Sequence, residues 1–393
     1  MTETRSQWRF WMSDYEAILG VTIVLLMIGT LNIFSSSFVV ASANYDDPYF
    51  FLRKQGLNIG VGFVCFLIGC IDYHLLTKCR KMGFALVVTL LGAVLLIGVE
   101  VNGAQRWLAL GPFQLQPAEL AKPAAIFLEA HYIAWRVKHG MRCNFLHNEI
   151  YMIGLMGLLV EIEPDMGTAM IICGIPLLML FCSNMKKTTK IKLLLGGFAG
   201  GALLCLVQPY RLRRVMALFN PWMDAQGTGY QSVQSLQAIG SGGLFGMGMG
   251  MGVSKYHYLP EAHTDFAFSV WCQETGFVGA LLVLFLFAMI AYYGIRIANN
   301  TKDPLGQMLA FGMTMLIVGQ ALINLLMISG CLPVVGVPLP FISYGGTSLF
   351  VSMFVTGVLF SIGVRNTKNK PAVVDSAEEP KPVPERSRLR RVK

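Results

Sequence analysis

Apolar windows long enough to cross a bilayer core, about 20 residues each, recur along the chain at 17–40, 55–72, 82–99, 117–135, 149–163, 166–182, 192–208, 265–293, 306–330 and 345–364. They predict an all-α polytopic membrane protein of about ten transmembrane helices. A cytoplasmic segment, 1–16, precedes the membrane domain, 17–364, and a tail, 365–393, follows it. The fifth and sixth windows are short and meet at Glu161-Ile162-Glu163-Pro164-Asp165, where a proline breaks one helix from the next in a tight hairpin.

The polar interruptions are unequal. Most are brief, as connections in helical membrane domains usually are, but 209–264, between the seventh and eighth windows, is long and carries Arg211, Arg213, Arg214, Asp224, Lys255 and Glu261. It closes on Leu259-Pro260-Glu261-Ala262-His263-Thr264-Asp265-Phe266. Polar length of this kind points to chemistry, because binding and catalytic residues concentrate in loops held by a rigid scaffold. Placing both termini in the cytoplasm puts 23 of the 31 Lys and Arg on that side, as the positive-inside rule requires. The long loop then faces outward from the cytoplasmic (inner) membrane.

Composition narrows the class. With 54% hydrophobic and 13% charged residues and a mean hydropathy of +0.57, a soluble globular protein is excluded. The net charge of +9 is scattered over membrane-flanking loops and a basic tail without interleaved aromatics, so anionic membrane lipids are the expected partner and nucleic acid is not. The tail, rich in Pro, Glu, Lys and Arg, reads as disordered. None of the nine cysteines forms a Cys-x-x-Cys pair, so no disulfide or metal framework is predicted. No cleavable signal peptide is evident, since the first window is long enough to span.

Charges at membrane depth are costly and face a cavity or a partner. Glu119 and Lys122 lie three residues apart, on one helix face and able to pair. A structural pair and a substrate-binding role are equally open. Glu129 reads as structural, and Glu274 as a partner for a cation from a neighbouring helix. Asp165 follows a proline and suits a helix cap. Asp265 has the same option, but its company of Glu261, His263 and a cationic loop favours a functional acid. The glycine-rich run Gly240–Gly252 lacks the lysine and the strand-turn-helix setting of a phosphate loop; its glycines let the loop lie back on the helices. His257 and His263 are too few for a zinc site. The stretch Leu339 to Ser348, including Ser343, predicts a broken segment that roofs a cavity.

Several of these segments together resemble the SEDS family (shape, elongation, division and sporulation), most closely its FtsW branch. The likeness rests on Gly103-Ala104-Gln105-Arg106-Trp107, Gln116 to Lys122, Glu163-Pro164-Asp165-Met166-Gly167-Thr168, Asn220-Pro221-Trp222-Met223-Asp224, Gly229 to Ser235, Ala238 to Gly243, Leu259 to Phe266 and Leu339 to Gly346. It implies a peptidoglycan glycosyltransferase that polymerises lipid II at the outer face of the membrane. The implied partners are a class B penicillin-binding protein and other division proteins. It also implies that Asp265 is the essential acid and that Asp165, Arg106, Trp107 and Lys122 matter. Glu119, Arg211, Arg213, Arg214, Glu261, His263 and Ser343 complete the candidate substrate-binding set. The family often shows two acids before the glycine of the eighth helix, where this chain has Gln273-Glu274, so a role for the first acid does not carry over.

The expected mechanism has Asp265 accepting the proton of the acceptor sugar's 4-hydroxyl while Arg106, Lys122 and the Arg211/Arg213/Arg214 cluster steady the departing pyrophosphate. No cofactor is demanded; a divalent cation, Mg2+ or Mn2+, is compatible. Ten spans with intramembrane charges would also suit a flippase for lipid-linked precursors, and an elongation or sporulation paralogue or a division scaffold without catalysis are further alternatives.

Overall fold

The computed structural model describes residues 13–101, 104–111, 113–207, 209–256 and 259–368. Residues 1–12 and 369–393, most of the predicted terminal segments, lie outside them, as do Gly103 and His257. Each apolar window carries a helix: α1 (Asp14–Tyr45), α2 (Phe50–Gly69), α4 (Arg80–Ile97), α5 (Pro117–Lys138), α6 (Asn148–Ile162), α7 (Met166–Cys182), α8 (Lys187–Val207), α11 (Ala267–Asn300), α12 (Pro304–Ile328) and α13 (Gly346–Lys368). Short α3 (Tyr73–Lys78) sits between α2 and α4. Six of the helices, α1, α2, α4, α11, α12 and α13, are long and apolar enough to cross a membrane; α7 is apolar but shorter.

Three expectations need correction. The chain is mostly helical but not all-α, because β1 (Val99–Val101), β2 (Ala104–Leu110) and β3 (Phe113–Leu115) form a small antiparallel sheet between α4 and α5. The connector's apolar residues, such as Trp107, Leu108 and Leu110, come in runs too short to announce strands, and short paired strands are one way to satisfy its backbone. The connection 209–264 is not bare loop. It contains α9 (Pro209–Phe219), a 3-10 turn (Pro221–Asp224) and α10 (Tyr230–Ser241). Finally, α13 continues past Val364 to Lys368, so the predicted tail begins inside a helix.

The centre of the bundle is α12, which packs against α5, α7, α11 and α13. Burial separates core from rim: 78% of the apolar window of α13 is buried, against 17% for α4. At the rim, Leu86 and Leu96 of α4 and Phe277, Leu281 and Phe285 of α11 point outward, as side chains facing hydrocarbon would. The α2–α13 contact is close enough that a Cβ on Gly69 would reach within 2.3 Å of the Phe354 carbonyl oxygen. Small residues let two backbones approach in this way.

Within α11 the helix breaks at Gly276, whose φ is +70°. The glycine-rich segment repairs the break. The amides of Phe277 and Val278 donate to the carbonyls of Gly243 (2.9 Å) and Leu244 (3.2 Å), while those of Met247 and Gly248 donate to Gln273 and Glu274, each at 3.0 Å. Away from water, freed backbone groups must find such partners. A Cβ on Gly246 would stand 2.1 Å from the Glu274 carbonyl oxygen, so the loop can lie here only as glycine.

Between α12 and α13 the chain from Cys331 to Gly345 has no regular structure. Side chains satisfy its backbone instead. Asn324 donates to the carbonyl of Val337 at 2.7 Å, Gln320 donates to that of Pro338 at 3.0 Å, and the amide of Leu339 donates to the Ser343 hydroxyl at 2.9 Å.

Candidate active site

Asp265 lies in the turn just before α11, and α11 begins without it. The capping position is Phe266, with no side-chain cap. The cap alternative therefore falls away. A second amide hydrogen of Asn324 holds the Asp265 carbonyl at 2.8 Å, tying this turn to α12 and to the irregular segment above it. A Cβ placed on Gly336 would lie 3.4 Å from Asp265 Oδ2, so that segment passes directly over the carboxylate.

The charges around Asp265 come from four separate parts of the chain. Glu261 is four residues earlier; Asp165 belongs to the α6–α7 hairpin; Arg106 comes from β2 and Arg214 from α9. The side chain keeps part of its surface accessible, yet the surrounding protein pushes its pKa up to about 7. Burial is the largest cause, Glu261 and Asp165 add to it, and Arg106 and Arg214 oppose it. A carboxylic acid ordinarily ionised far below neutrality thus titrates where it can both take and release a proton.

Asp165 does act as a cap, accepting from the Thr168 amide at 3.1 Å. Its other oxygen accepts from Gln116 Nε2 at 3.1 Å, so the cap and the site reading hold together. Arg106 Nε donates to the Glu163 carbonyl at 3.1 Å, and its Nη2 to that of Pro164. These are bonds to neutral backbone, which leave the guanidinium's charge uncompensated by a carboxylate in direct contact. Trp107 is next in the strand, and the pleat turns it to the opposite face from Arg106.

The sequence marks Glu163 only as part of a hairpin. It is 1% exposed, and neither carboxylate oxygen has a hydrogen-bond partner. Burial pushes its pKa up to about 8, Asp165 adding and Arg106 opposing. It stands beside Asp165 as a neutral acid. Its signal in the sequence is faint, since an acid flanking a proline is equally at home in an exposed turn.

The other candidates divide. Lys122 donates to Glu119 at 2.5 Å and to Gln320 at 2.9 Å, all three buried. Because Gln320 also holds the Pro338 carbonyl, this pair supports the irregular segment from below. Arg211 pairs with Glu161, Arg214 Nη1 donates to the Val334 carbonyl at 2.5 Å, and Arg213 is exposed. Glu261 accepts from the Thr264 hydroxyl at 2.6 Å. The His263 ring sits among Phe51 and Tyr344, 5.0 and 5.9 Å between ring centres. Burial lowers its pKa, with Glu261 opposing, so it is neutral and supplies no cation. The hydroxyl of Ser343 is spent on backbone.

Glu274 does find a cation, but from the loop rather than a neighbouring helix. Lys255 Nζ lies 3.0 Å from Glu274 Oε1 and also reaches the Ser35 hydroxyl (3.2 Å) and the Gly250 carbonyl (2.6 Å). Among the described residues no group of three or more His, Cys, Asp or Glu is arranged to hold a metal ion. Mg2+ is commonly held by one or two carboxylates together with substrate phosphates, and Asp165 is the acid of this site close enough to act on Asp265 from another element.

Residues 16–368 match the family model described as cell cycle protein, FTSW_RODA_SPOVE. Among curated proteins, stage V sporulation protein E of Bacillus subtilis (strain 168) is 36% identical over 348 residues, covering 87% of this chain and 94% of that protein. The probable peptidoglycan glycosyltransferase FtsW of Geobacter sp. (strain M18) is 35% identical over 354 residues, covering 88% and 96%. Among solved structures, a chain of a peptidoglycan synthase complex that coordinates polymerization and crosslinking superposes with a TM-score of 0.72 at 24% identity, covering 91% of this chain and 100% of that one. The Thermus thermophilus rod shape determining protein RodA gives 0.64 at 24% identity, covering 91% and 98%.

Proposed function

The chain belongs to the FtsW, RodA and SpoVE family of cell cycle proteins, on its FtsW/SpoVE branch, and from that membership and the setting of Asp265 we infer that it is a peptidoglycan glycosyltransferase. It polymerises lipid II into glycan strands for the septum, with undecaprenyl pyrophosphate as leaving group. Ten helices, α1, α2, α4 to α8 and α11 to α13, cross the cytoplasmic membrane. Both termini are cytoplasmic, and the 209–264 connection and Asp265 are on the outer side. The Lys and Arg bias supports that orientation.

The observation that carries this reading is the Asp265 carboxyl, with Gly336 of the irregular segment passing over it and a pKa pushed up to about 7 by burial, Glu261 and Asp165 against the opposing charge of Arg106 and Arg214. Ionised Asp265 accepts the proton of the acceptor sugar's 4-hydroxyl as that oxygen bonds to the anomeric carbon. The bond from that carbon to the pyrophosphate oxygen breaks with its electron pair, and the configuration inverts. Arg106 and Arg214 offset the charge that develops on the diphosphate. A divalent cation, Mg2+ or Mn2+, would be held by Asp165 together with the substrate diphosphate, and would supply charge neutralisation there.

A class B penicillin-binding protein is the proposed partner, and the likeness to a chain of a peptidoglycan synthase complex supports it. The flippase alternative loses its main attraction, because the intramembrane charges it would use are paired: Glu119 with Lys122, and Glu274 with Lys255. The test is polymerisation of purified lipid II by the chain with its cognate transpeptidase. Glycan strands from the unmodified chain and none from Asp265→Asn support the enzyme. Appreciable polymer from Asp265→Asn, or lipid movement without polymer, rejects it.

A further inference from the structure

Beside the Asp265 cluster lies a cavity of about 250 Å³, walled by α9, the 3-10 turn, α10 and the segment from Ser329 to Val334. Of its lining residues the reaction described above uses Arg214 alone. Its wall combines the indole of Trp222, the amide of Asn220 and the hydroxyls of Thr228, Ser232 and Ser329, with the Arg214 guanidinium on one side. Trp222 is 56% exposed, a large ring held at the mouth of a recess instead of packed into a core.

Position ties this cavity to the reaction. Arg214 lines it and also acts on the Asp265 carboxylate. Val334, whose carbonyl Arg214 holds, lines it too, and two residues on Gly336 passes over Asp265 Oδ2. The backbone of 334–336 thus runs from the cavity wall to the carboxylate. The wall is firm: the Ser235 hydroxyl of α10 bonds the Ser269 hydroxyl of α11 and the Ile328 carbonyl of α12, each at 2.8 Å.

The chemistry of the wall selects an occupant. A flat apolar ring face packs against the C–H face of a pyranose. Hydroxyls and a carboxamide exchange hydrogen bonds with sugar hydroxyls and an N-acetyl group. A few polar groups around an apolar surface are the usual make-up of a small-ligand site. Thr228 and Ser329 already donate, to Asp224 and to the Leu326 carbonyl, but each oxygen keeps lone pairs to accept from a sugar.

We propose that this cavity is a saccharide subsite holding an N-acetylated amino-sugar unit of the glycan strand next to the units being joined, with Trp222 as its stacking platform. The proposal rests on the glycosyltransferase reading and adds to it a grip on the chain between successive additions. Such a grip keeps a growing strand in register, so that losing it shortens the product.

The experiment uses the full chain with its cognate transpeptidase in detergent or nanodiscs, and a soluble, lipid-free glycan oligomer without stem peptides as the probe. Saturation-transfer NMR should show the oligomer bound to the unmodified protein. Trp222→Ala should weaken it about tenfold, the equivalent of one good contact, and shift polymer made from lipid II to shorter lengths. Ser232→Trp, which fills the cavity while leaving the platform, should do the same. No binding of the oligomer to the unmodified protein, binding of the stem peptide alone in its place, or unchanged binding in both variants overturns the proposal. Asp265→Asn separates the two readings. It should bind the oligomer as the unmodified chain does, and if it still polymerises, the base assignment falls while the subsite stands on its own result.

Discussion

Two sets of charged groups occupy this molecule, and they are solved in opposite ways. In the bundle, Glu119 with Lys122 and Glu274 with Lys255 are buried pairs at 2.5 and 3.0 Å, with amide, hydroxyl or carbonyl groups taking up further hydrogen bonds. Around the α6–α7 hairpin and the turn before α11, Asp265, Asp165 and Glu163 crowd acids together and leave the Glu163 carboxyl without a hydrogen-bond partner. Paired charge in a low-dielectric interior fixes structure. Crowded, under-compensated acid raises pKa values and is costly to keep. The fold tolerates that cost around the proposed base.

The comparison breaks most sharply at Asp265. Asp265→Asn should lower polymerisation of lipid II by at least the roughly 10² to 10⁴-fold that a general base supplies, with an unchanged melting temperature in detergent. If the variant instead unfolds, Asp265 belongs with the structural pairs.

Breaking a bundle pair should do the reverse. Lys122→Met leaves Glu119 charged and alone in the interior and should cost about 3–5 kcal/mol of stability, read as a fall in melting temperature. Adding Glu119→Gln should recover much of that loss. A Lys122→Met chain that is fully stable but inactive would move the pair into the site.

The pH profile sharpens the contrast. Only ionised Asp265 accepts a proton, so the rate should fall about tenfold per unit well below its pKa of about 7 and level off above it. Arg214→Gln removes a charge that holds this pKa down and should move the inflection to higher pH. An inflection near that of an ordinary carboxylate would contradict the buried cluster.

The smallest effect is expected at Glu163. Its pKa of about 8 makes it neutral at pH 7, so Glu163→Gln should change the rate there by no more than about twofold, an exposed-surface-sized energy. The stability sign follows from a raised pKa. The wild-type side chain's contribution is complete below the ordinary glutamate range and is lost as pH rises through about 8. The advantage of Glu163→Gln over the wild type should therefore be larger at pH 9 than at pH 6, by thermal melting. Equal difference at both values would show that Glu163 is ionised throughout.

Much of the helix pattern was legible because apolar runs are local. Each window from 17–40 to 345–364 carries a helix, and the Pro164 hairpin divides α6 from α7. The strands around Arg106 and the helices α9 and α10 were not legible, because each is short, mixed in polarity and stabilised by what it packs against. Asp265 and Asp165 stood out through motif and resemblance. Lys122 was open between a structural pair and a substrate role and Ser343 only one member of the candidate set; their bonds go to Glu119 and Gln320 and to the Leu339 amide. Glu163 did not stand out, since nothing in an acid beside a proline says which way its side chain is buried.

What the residues determined by themselves is which segments are apolar and which are polar: a helix for each of the ten windows, and most of the charge in the interruptions and the ends. That pattern is set within a few turns of chain and needs no knowledge of neighbours. Tertiary structure alone decided which carboxylates are compensated and which are not. Arg106, Asp165, Arg214 and Asp265 come from β2, the α6–α7 hairpin, α9 and the turn before α11, and a pKa depends on charges and burial summed through space rather than along the chain.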